Sequence, residues 1–382
     1  MAELRIAIFT GSYNHIKDGV SLTLNRWVAF LKSRSIPVVV FGPSVKEPVI
    51  DHEGEFIPVP SVAAPGRPDY RISTGLHKEA LVKLEKFNPT LVHIATPDIL
   101  GFKALMYAQD NYKNVVSSYH THFTSYLKYY KLQLLEPLIW KYLTWFYSQC
   151  QHIYVPSPAI RKQLEEKGVS GLHIWPRGVD TTLFNPDKRD NAWRRSHHIP
   201  KDNCIVSFVS RLVWEKGLKT YARAIDMISK RYDNITALVV GSGPAKDDMQ
   251  AMLPNAKFTG FLEGVELAKA YANSDIFMFP SDTETFGNVT LEAMASGVPS
   301  VVANAGGSNS LIDDGVNGYL AQPGEPKDFA QKAIDIIMHS KHSYAMQEAA
   351  RKEALNYTWH NINRNLLDCY RRANGKTVNK YA

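Results

Sequence analysis

The hydrophobic pattern of this chain changes period again and again. Short apolar runs rich in β-branched residues, at 5–9, 37–41, 91–94, 115–119 and 153–155, are separated by longer stretches whose apolar positions recur at helical spacing. Between the first two runs Leu22, Trp27, Phe30 and Leu31 follow that spacing, which predicts a crossover helix over 21–33. The second half repeats the scheme, with runs at 205–209, 236–240, 256–259, 276–279 and 300–302. Alternating strand and helix implies parallel sheets wrapped by helices, so the expected fold class is α/β. Both periods break around 175–201, where Pro176, Gly178, Pro186 and Pro200 accompany a polar, charged run. The expected organisation is therefore two Rossmann-like domains, 1–178 and 179–358, hinged in that break and holding a ligand at the carboxyl ends of their strands, in the cleft between them. A last apolar repeat, Ile362, Leu366, Leu367 and Tyr370, predicts a helix over 359–372.

Length and composition support two domains and exclude other classes. The 382 residues exceed one compact core, and 45% hydrophobic with 21% charged residues suits neither a fibre nor a disordered chain. Cys150, Cys204 and Cys369 lie far apart, without the spacing of a zinc site or disulfide framework, which fits a reducing cytosol. The start, Met-Ala-Glu-Leu-Arg, lacks the pattern of a signal peptide, and no apolar run approaches the roughly 20 residues that span a bilayer. A soluble or peripheral cytoplasmic protein is expected.

Charge sharpens the picture because it is uneven. Residues 1–178 hold 20 Lys and Arg against 14 Asp and Glu, while the remainder holds 24 against 23. Within 111–162, Lys113, Lys128, Lys131, Lys141, Arg161 and Lys162 face a single acid, Glu136, and are interleaved with Tyr126, Tyr129, Trp140, Trp145 and other aromatics. Such interleaving suits a packed amphipathic helix, or an anionic membrane face whose headgroups accept lysines and aromatic belts, or a nucleic-acid surface. The expected partner is the inner face of the cytoplasmic membrane rather than nucleic acid.

Candidate chemistry follows the strands. After the first comes Thr10-Gly11-Ser12-Tyr13-Asn14 and then Asp18-Gly19-Val20-Ser21, where glycines let backbone amides approach an anion and a helix start adds positive potential. A tight strand-to-helix turn explains the same residues. After the run at 205–209, Arg211 and Lys216 stand five apart on a loop and can clamp a diphosphate, the arginine as a fork and the lysine as a point charge; two solvated surface cations are the alternative. Gly241 and Gly243 form another glycine turn. The loop after 276–279 carries Glu284 and Glu292 eight apart, with Phe286-Gly287 between them, and such carboxylates can accept bonds from sugar or ribose hydroxyls.

These strings, together with Ser118-Tyr119-His120-Thr121-His122, Val155-Pro156-Ser157 and Trp175-Pro176-Arg177-Gly178-Val179-Asp180, resemble the retaining glycosyltransferases of family 4 over nearly the full chain. Within that family the likeness is to lipid glycosyltransferases, including sulfoquinovosyl-diacylglycerol synthases and bacterial mannosyltransferases that use GDP-mannose. The resemblance implies a GT-B fold, two Rossmann-like domains with parallel sheets facing across a cleft, and a C-terminal helix, 359–382, that returns to the first domain. It implies transfer of a hexose from a UDP- or GDP-sugar to an acceptor hydroxyl of a lipid or glycan, without a cofactor. Arg211 and Lys216 would hold the diphosphate, Glu292 the ribose and Glu284 the donor sugar. Backbone at Phe286, Gly287 and Asn288 would touch sugar or phosphate oxygens, while Gly241, Gly243 and Phe261 would border the base. Gly19 would open toward the β-phosphate, His120 would face the sugar, and His122 and Tyr126 would lie toward the acceptor. No Asp-x-Asp triplet of the kind that holds a metal ion in other glycosyltransferases occurs, so none is expected. The chain departs from many relatives at Gly306-Gly307-Ser308, which lacks their proline and acid, and has Asp18-Gly19 where they pair glycines. A nucleotide-sugar epimerase and a non-catalytic sugar-binding protein are the rival readings.

Overall fold

A computed structural model describes residues 3–65, 67–120 and 133–375. The chain forms two compact units, one running to Trp175 and resuming at Ile362, the other Pro176–Asn361.

Unit one contains β1 (Ile6–Phe9), α1 (Gly19–Ser33), β2 (Val38–Pro43), β3 (Glu55–Val59), β4 (Ser61–Ala64), β5 (Arg67–Ser73), α2 (Lys78–Phe87), β6 (Leu91–Ile94), α3 (Ile99–Asp110), β7 (Asn114–Ser118), α4 (Glu136–Ser148), β8 (His152–Val155), α5 (Pro158–Glu166) and β9 (Leu172–Ile174). Seven strands make one sheet in the order β3-β2-β1-β6-β7-β8-β9, every neighbouring pair parallel, and β4 and β5 form a separate antiparallel hairpin. The central strands β1, β6 and β7 are buried along their whole length; β1 is apolar throughout, whereas β6 carries His93 and β7 carries Asn114, Ser117 and Ser118. Helix α1 starts at Gly19 because Asp18 caps it: its carboxylate accepts from the amides of Val20 and Ser21, and Ser21 Oγ accepts from the Asp18 amide. Its apolar face, including Leu24, Trp27, Val28 and Leu31, is buried.

Unit two contains α6 (Asn191–Ser196), β10 (Cys204–Val209), α7 (Leu218–Ser229), β11 (Ile235–Val240), α8 (Lys246–Met252), β12 (Lys257–Gly260), α9 (Gly264–Asn273), β13 (Ile276–Phe279), α10 (Asn288–Ala295), β14 (Ser300–Ala303), β15 (Gly318–Ala321), α11 (Pro326–Met338) and α12 (Ser340–Ala354). Its six strands run parallel in the order β12-β11-β10-β13-β14-β15. The charged stretch after Pro176 is packed rather than extended. Phe184, Trp193 and Ile199 join the core, and the buried Arg194 guanidinium bonds the Asp275 carboxylate at 2.9 Å and the carbonyls of Lys201, Asn203 and Asn273.

The last helix, α13 (Trp359–Asn374), starts in unit two and completes unit one from Ile362. Its Tyr370 is fully buried, stacked on Tyr154 with ring centroids 5.5 Å apart and edge-on to Trp27 at 5.1 Å.

Among the described residues five strands lie outside the runs read from the sequence: β3, β4, β5, β9 and β15. Three of them, β3, β9 and β15, are sheet edges. An edge strand need not be apolar throughout, so β3 accommodates two exposed positions, Glu55 and Pro58, and β15 begins at a glycine.

Candidate functional site

The strand order in unit two reverses between β10 and β13, so the chain leaves these neighbours in opposite directions and opens a crevice at their carboxyl ends. The loop after β10 carries Arg211 and ends in a single 3-10 turn, Trp214–Lys216. From there Lys216 reaches the loop after β13, where its Nζ donates to Glu284 Oε1 at 2.5 Å, with only 15% and 20% of the two side chains exposed. Arg211 is exposed, and among the described residues its guanidinium makes no hydrogen bond or ion pair. The Glu284 loop is held from behind by the Gly307 amide, which donates to the Glu284 carbonyl at 2.6 Å. The glycine pair that precedes the departure from many relatives thus supports this loop through the Gly307 backbone.

The next loop, after β11, lies directly on the first. Gly241 has φ +133, and a Cβ there would stand 1.9 Å from the Ser210 carbonyl oxygen, so no other residue fits without moving backbone. Hydrogen bonds from the Ser210 amide to the Val240 carbonyl and from Leu212 to Ser242 close the contact. A Cβ on Gly243 would stand 2.4 Å from the Leu212 carbonyl oxygen.

Glu292 projects from the second turn of α10, and its Oε2 accepts from the Tyr271 hydroxyl at 3.0 Å. Burial first, and the Glu292 carboxylate second, push the Tyr271 phenol well above its ordinary pKa, so it remains a donor. A cavity of about 190 Å³ is bounded by Arg211, Gly241, Ser242, Phe261, Leu262 and Glu292, and the Phe261 ring is 68% exposed. Phe286 differs: its ring is buried against Tyr357, leaving only its backbone to meet a ligand. Gly287, left-handed at φ +97, begins α10 without a side-chain cap, and Asn288 is exposed at the first position. Helix α7 likewise starts without a side-chain cap. An unpaired guanidinium, an ammonium–carboxylate pair, a hydroxyl-accepting carboxylate, uncapped helix starts and an exposed aromatic ring can together hold a diphosphate, a diol and a flat ring.

The remaining sequence candidates belong to unit one. Its own switch point lies between β1 and β6, where the Gly11 amide donates to Thr96 Oγ1 at 2.9 Å. The start of α1 is already occupied by Asp18, yet a Cβ on Gly19 would meet nothing within 4 Å, so space is open beside that first turn. His120, just past β7, is half-buried, with Nε2 2.7 Å from Ser118 Oγ and its ring edge-on to Trp175. His122 and Tyr126 lie outside the described residues. Sequence reasoning did not single out Tyr271: among the alanines of α9 it carries the signal of a core residue and nothing more.

Helix α4 resolves part of the basic aromatic stretch into two faces. Trp140, Leu143, Phe146 and Tyr147 are buried, whereas Leu138, Lys141 and Trp145, at intervals of three and four, are exposed, as is Leu134 in the 3-10 turn just before the helix. Among the described residues no helix is long and apolar enough to cross a membrane.

Residues 17–183 match the description Glycosyltransferase Family 4, and residues 189–353 match Glycosyl transferases group 1. A GDP-mannose-dependent alpha-mannosyltransferase of Corynebacterium glutamicum is 33% identical over 96% of this chain and 88% of that protein. A sulfoquinovosyl transferase of Arabidopsis thaliana is 32% identical over 75% of this chain and 58% of that protein. An Anabaena protein solved in complex with UDP superposes with a TM-score of 0.74 at 18% identity, covering 97% of this chain and 100% of that one, which is a likeness of fold. Two parallel Rossmann-like sheets and a relative one-third identical across nearly all of both chains make this protein a glycosyltransferase of family 4, with the GT-B fold.

Proposed function

We propose that this glycosyltransferase moves a hexose from a nucleotide diphosphate sugar to a hydroxyl of a membrane lipid, with retention of configuration and without a metal ion. The observation that carries the reading is the convergence of Arg211, the Lys216–Glu284 pair and Glu292 at the switch point of one parallel sheet. Arg211 grips the diphosphate with its fork. Lys216 turns from Glu284 to the phosphate oxygens, which frees the carboxylate to accept from a sugar hydroxyl, and Glu292 takes the ribose diol. The exposed ring of Phe261 covers the base. Cationic side chains and the uncapped starts of α7 and α10 then offset the charge that develops as the sugar–phosphate bond breaks, the task a divalent ion performs elsewhere. The acceptor oxygen bonds the anomeric carbon from the face the phosphate leaves, and its proton passes to the departing diphosphate. In unit one, His120 positions the sugar.

The relative named for GDP-mannose supports that donor as the first to test, within a panel of GDP- and UDP-hexoses incubated with membrane lipid. Glycolipid together with free nucleoside diphosphate is the expected product. A donor converted to its epimer without lipid, or bound and left unchanged, would sink the transfer reading.

The lipid acceptor draws support from the exposed stripe Leu134, Leu138, Lys141 and Trp145, apolar positions with a cation among them, as an interfacial helix requires. In flotation assays the protein is expected to rise with anionic vesicles, and Leu138→Glu/Trp145→Glu to weaken that binding at least tenfold, on the order of one large side chain's transfer energy. Native binding by the double variant would exclude this face.

A further inference from the structure

Unit one contains a line of buried polar side chains that the proposed chemistry does not use. Tyr370 Oη on α13 lies 2.8 Å from His93 Nδ1 in β6, His93 Nε2 lies 2.8 Å from Ser118 Oγ at the end of β7, and Ser118 Oγ lies 2.7 Å from His120 Nε2. The first three residues have relative exposures of 0%, 0% and 1%. Trp175 packs edge-on against both His93 and His120, and Tyr154 packs edge-on against His93. An aliphatic residue at position 93 would fill the sheet at less cost, because a buried imidazole needs a partner for each nitrogen.

The direction of the chain follows from counting donors. Among the described residues the only acceptor bonded to the Tyr370 hydroxyl is His93 Nδ1, so a buried hydroxyl proton must go there. With Nδ1 accepting, neutral His93 carries its proton on Nε2 and donates to Ser118. Ser118 has one proton, and it goes to His120 Nε2. Complete burial pushes the His93 pKa down to about 3, which keeps the ring neutral and the direction fixed at ordinary pH.

We propose that Tyr370, His93 and Ser118 are positioning residues for His120, setting its ring orientation and holding its proton on Nδ1 through a one-way hydrogen-bond chain anchored on the C-terminal helix. The proposal rests on the reading of His120 given above. It makes the seating of α13, a helix remote in sequence from every loop of the site, a condition for His120 to present one defined tautomer.

The test uses the full chain labelled with ¹⁵N at histidine. In the native protein the His120 imidazole, assigned by its disappearance in His120→Ala, is expected as the Nδ1–H tautomer; Tyr370→Phe and Ser118→Ala are each expected to give a mixture. Both variants should lower kcat about tenfold, the effect of one misplaced hydrogen bond, and leave the donor KM within about twofold. The double variant should lose no more than Ser118→Ala alone, because the three groups act in series. Ser118→Ala keeps the test alive if Tyr370→Phe fails to fold. An Nε2–H tautomer in the native protein overturns the proposal, as do single variants with native tautomer and native kcat while His120→Ala is inactive. If instead His120→Ala retains native kcat, the role of His120 itself has failed.

Discussion

Arg211→Ala is expected to lower kcat/KM by about a thousandfold, the upper range for removing one preorganised group that meets transition-state charge. The variant is well suited to the purpose because nothing else depends on the side chain: it is exposed and, among the described residues, bonds to none. Thermal unfolding should therefore match that of the native protein, so lost activity reports on the diphosphate alone. Lys216→Ala is a poorer probe, since it also strands the Glu284 carboxylate with which Lys216 pairs at 2.5 Å. Arg211→Lys keeps the charge without the fork and should recover only part of the rate. Less than a tenfold loss in Arg211→Ala would remove this residue from the diphosphate site.

Gly241→Ala should damage stability more than any exposed substitution. The new methyl carbon would sit 1.9 Å from the Ser210 carbonyl oxygen, and the backbone at φ +133 disfavours any side chain even where space exists. Relief requires parting two loops whose amides and carbonyls bond each other, so about 3 kcal/mol of destabilisation is expected, a fall of roughly 10 °C in Tm for a domain of this size. Gly19→Ala is the matched control. A Cβ there meets nothing within 4 Å, and calorimetry should find its unfolding unchanged. Equal melting of Gly241→Ala and the native protein would mean that the loops after β10 and β11 are not held together as described.

What the sequence reveals depends on how local the cause is. Central strands such as β1 and β13 are buried on both faces and read as unbroken apolar runs, whereas β3 and β15 obey weaker constraints at the sheet edges and leave no such signature. The loops of the candidate site are legible for the same reason: Arg211 with Lys216, and Glu284 with Glu292, sit on short segments whose spacing is itself the signal. The partners of these residues were not. Tyr271 meets Glu292 across 21 residues, His93 meets Ser118 across 25, and Tyr370 meets His93 across 277, and each resembles an ordinary core position until the fold brings the pair together. The charged stretch after Pro176 misleads in the opposite sense. Arg189 and Arg194 belong in sequence to a polar, charged break, yet both pair with Asp275 within unit two.

The route of the chain through α13 matters for how the protein is made. Unit one is interrupted at Trp175 and takes up its final pieces only from Ile362. A ribosome adding 5–20 residues per second needs roughly ten to forty seconds to deliver all of unit two in between. During that interval the nascent first sheet lacks Tyr370, and the surfaces of Trp27, Tyr154 and His93 that it covers stand open. Premature termination or clipping before Ile362 would leave unit two complete and unit one without the helix that fills its core.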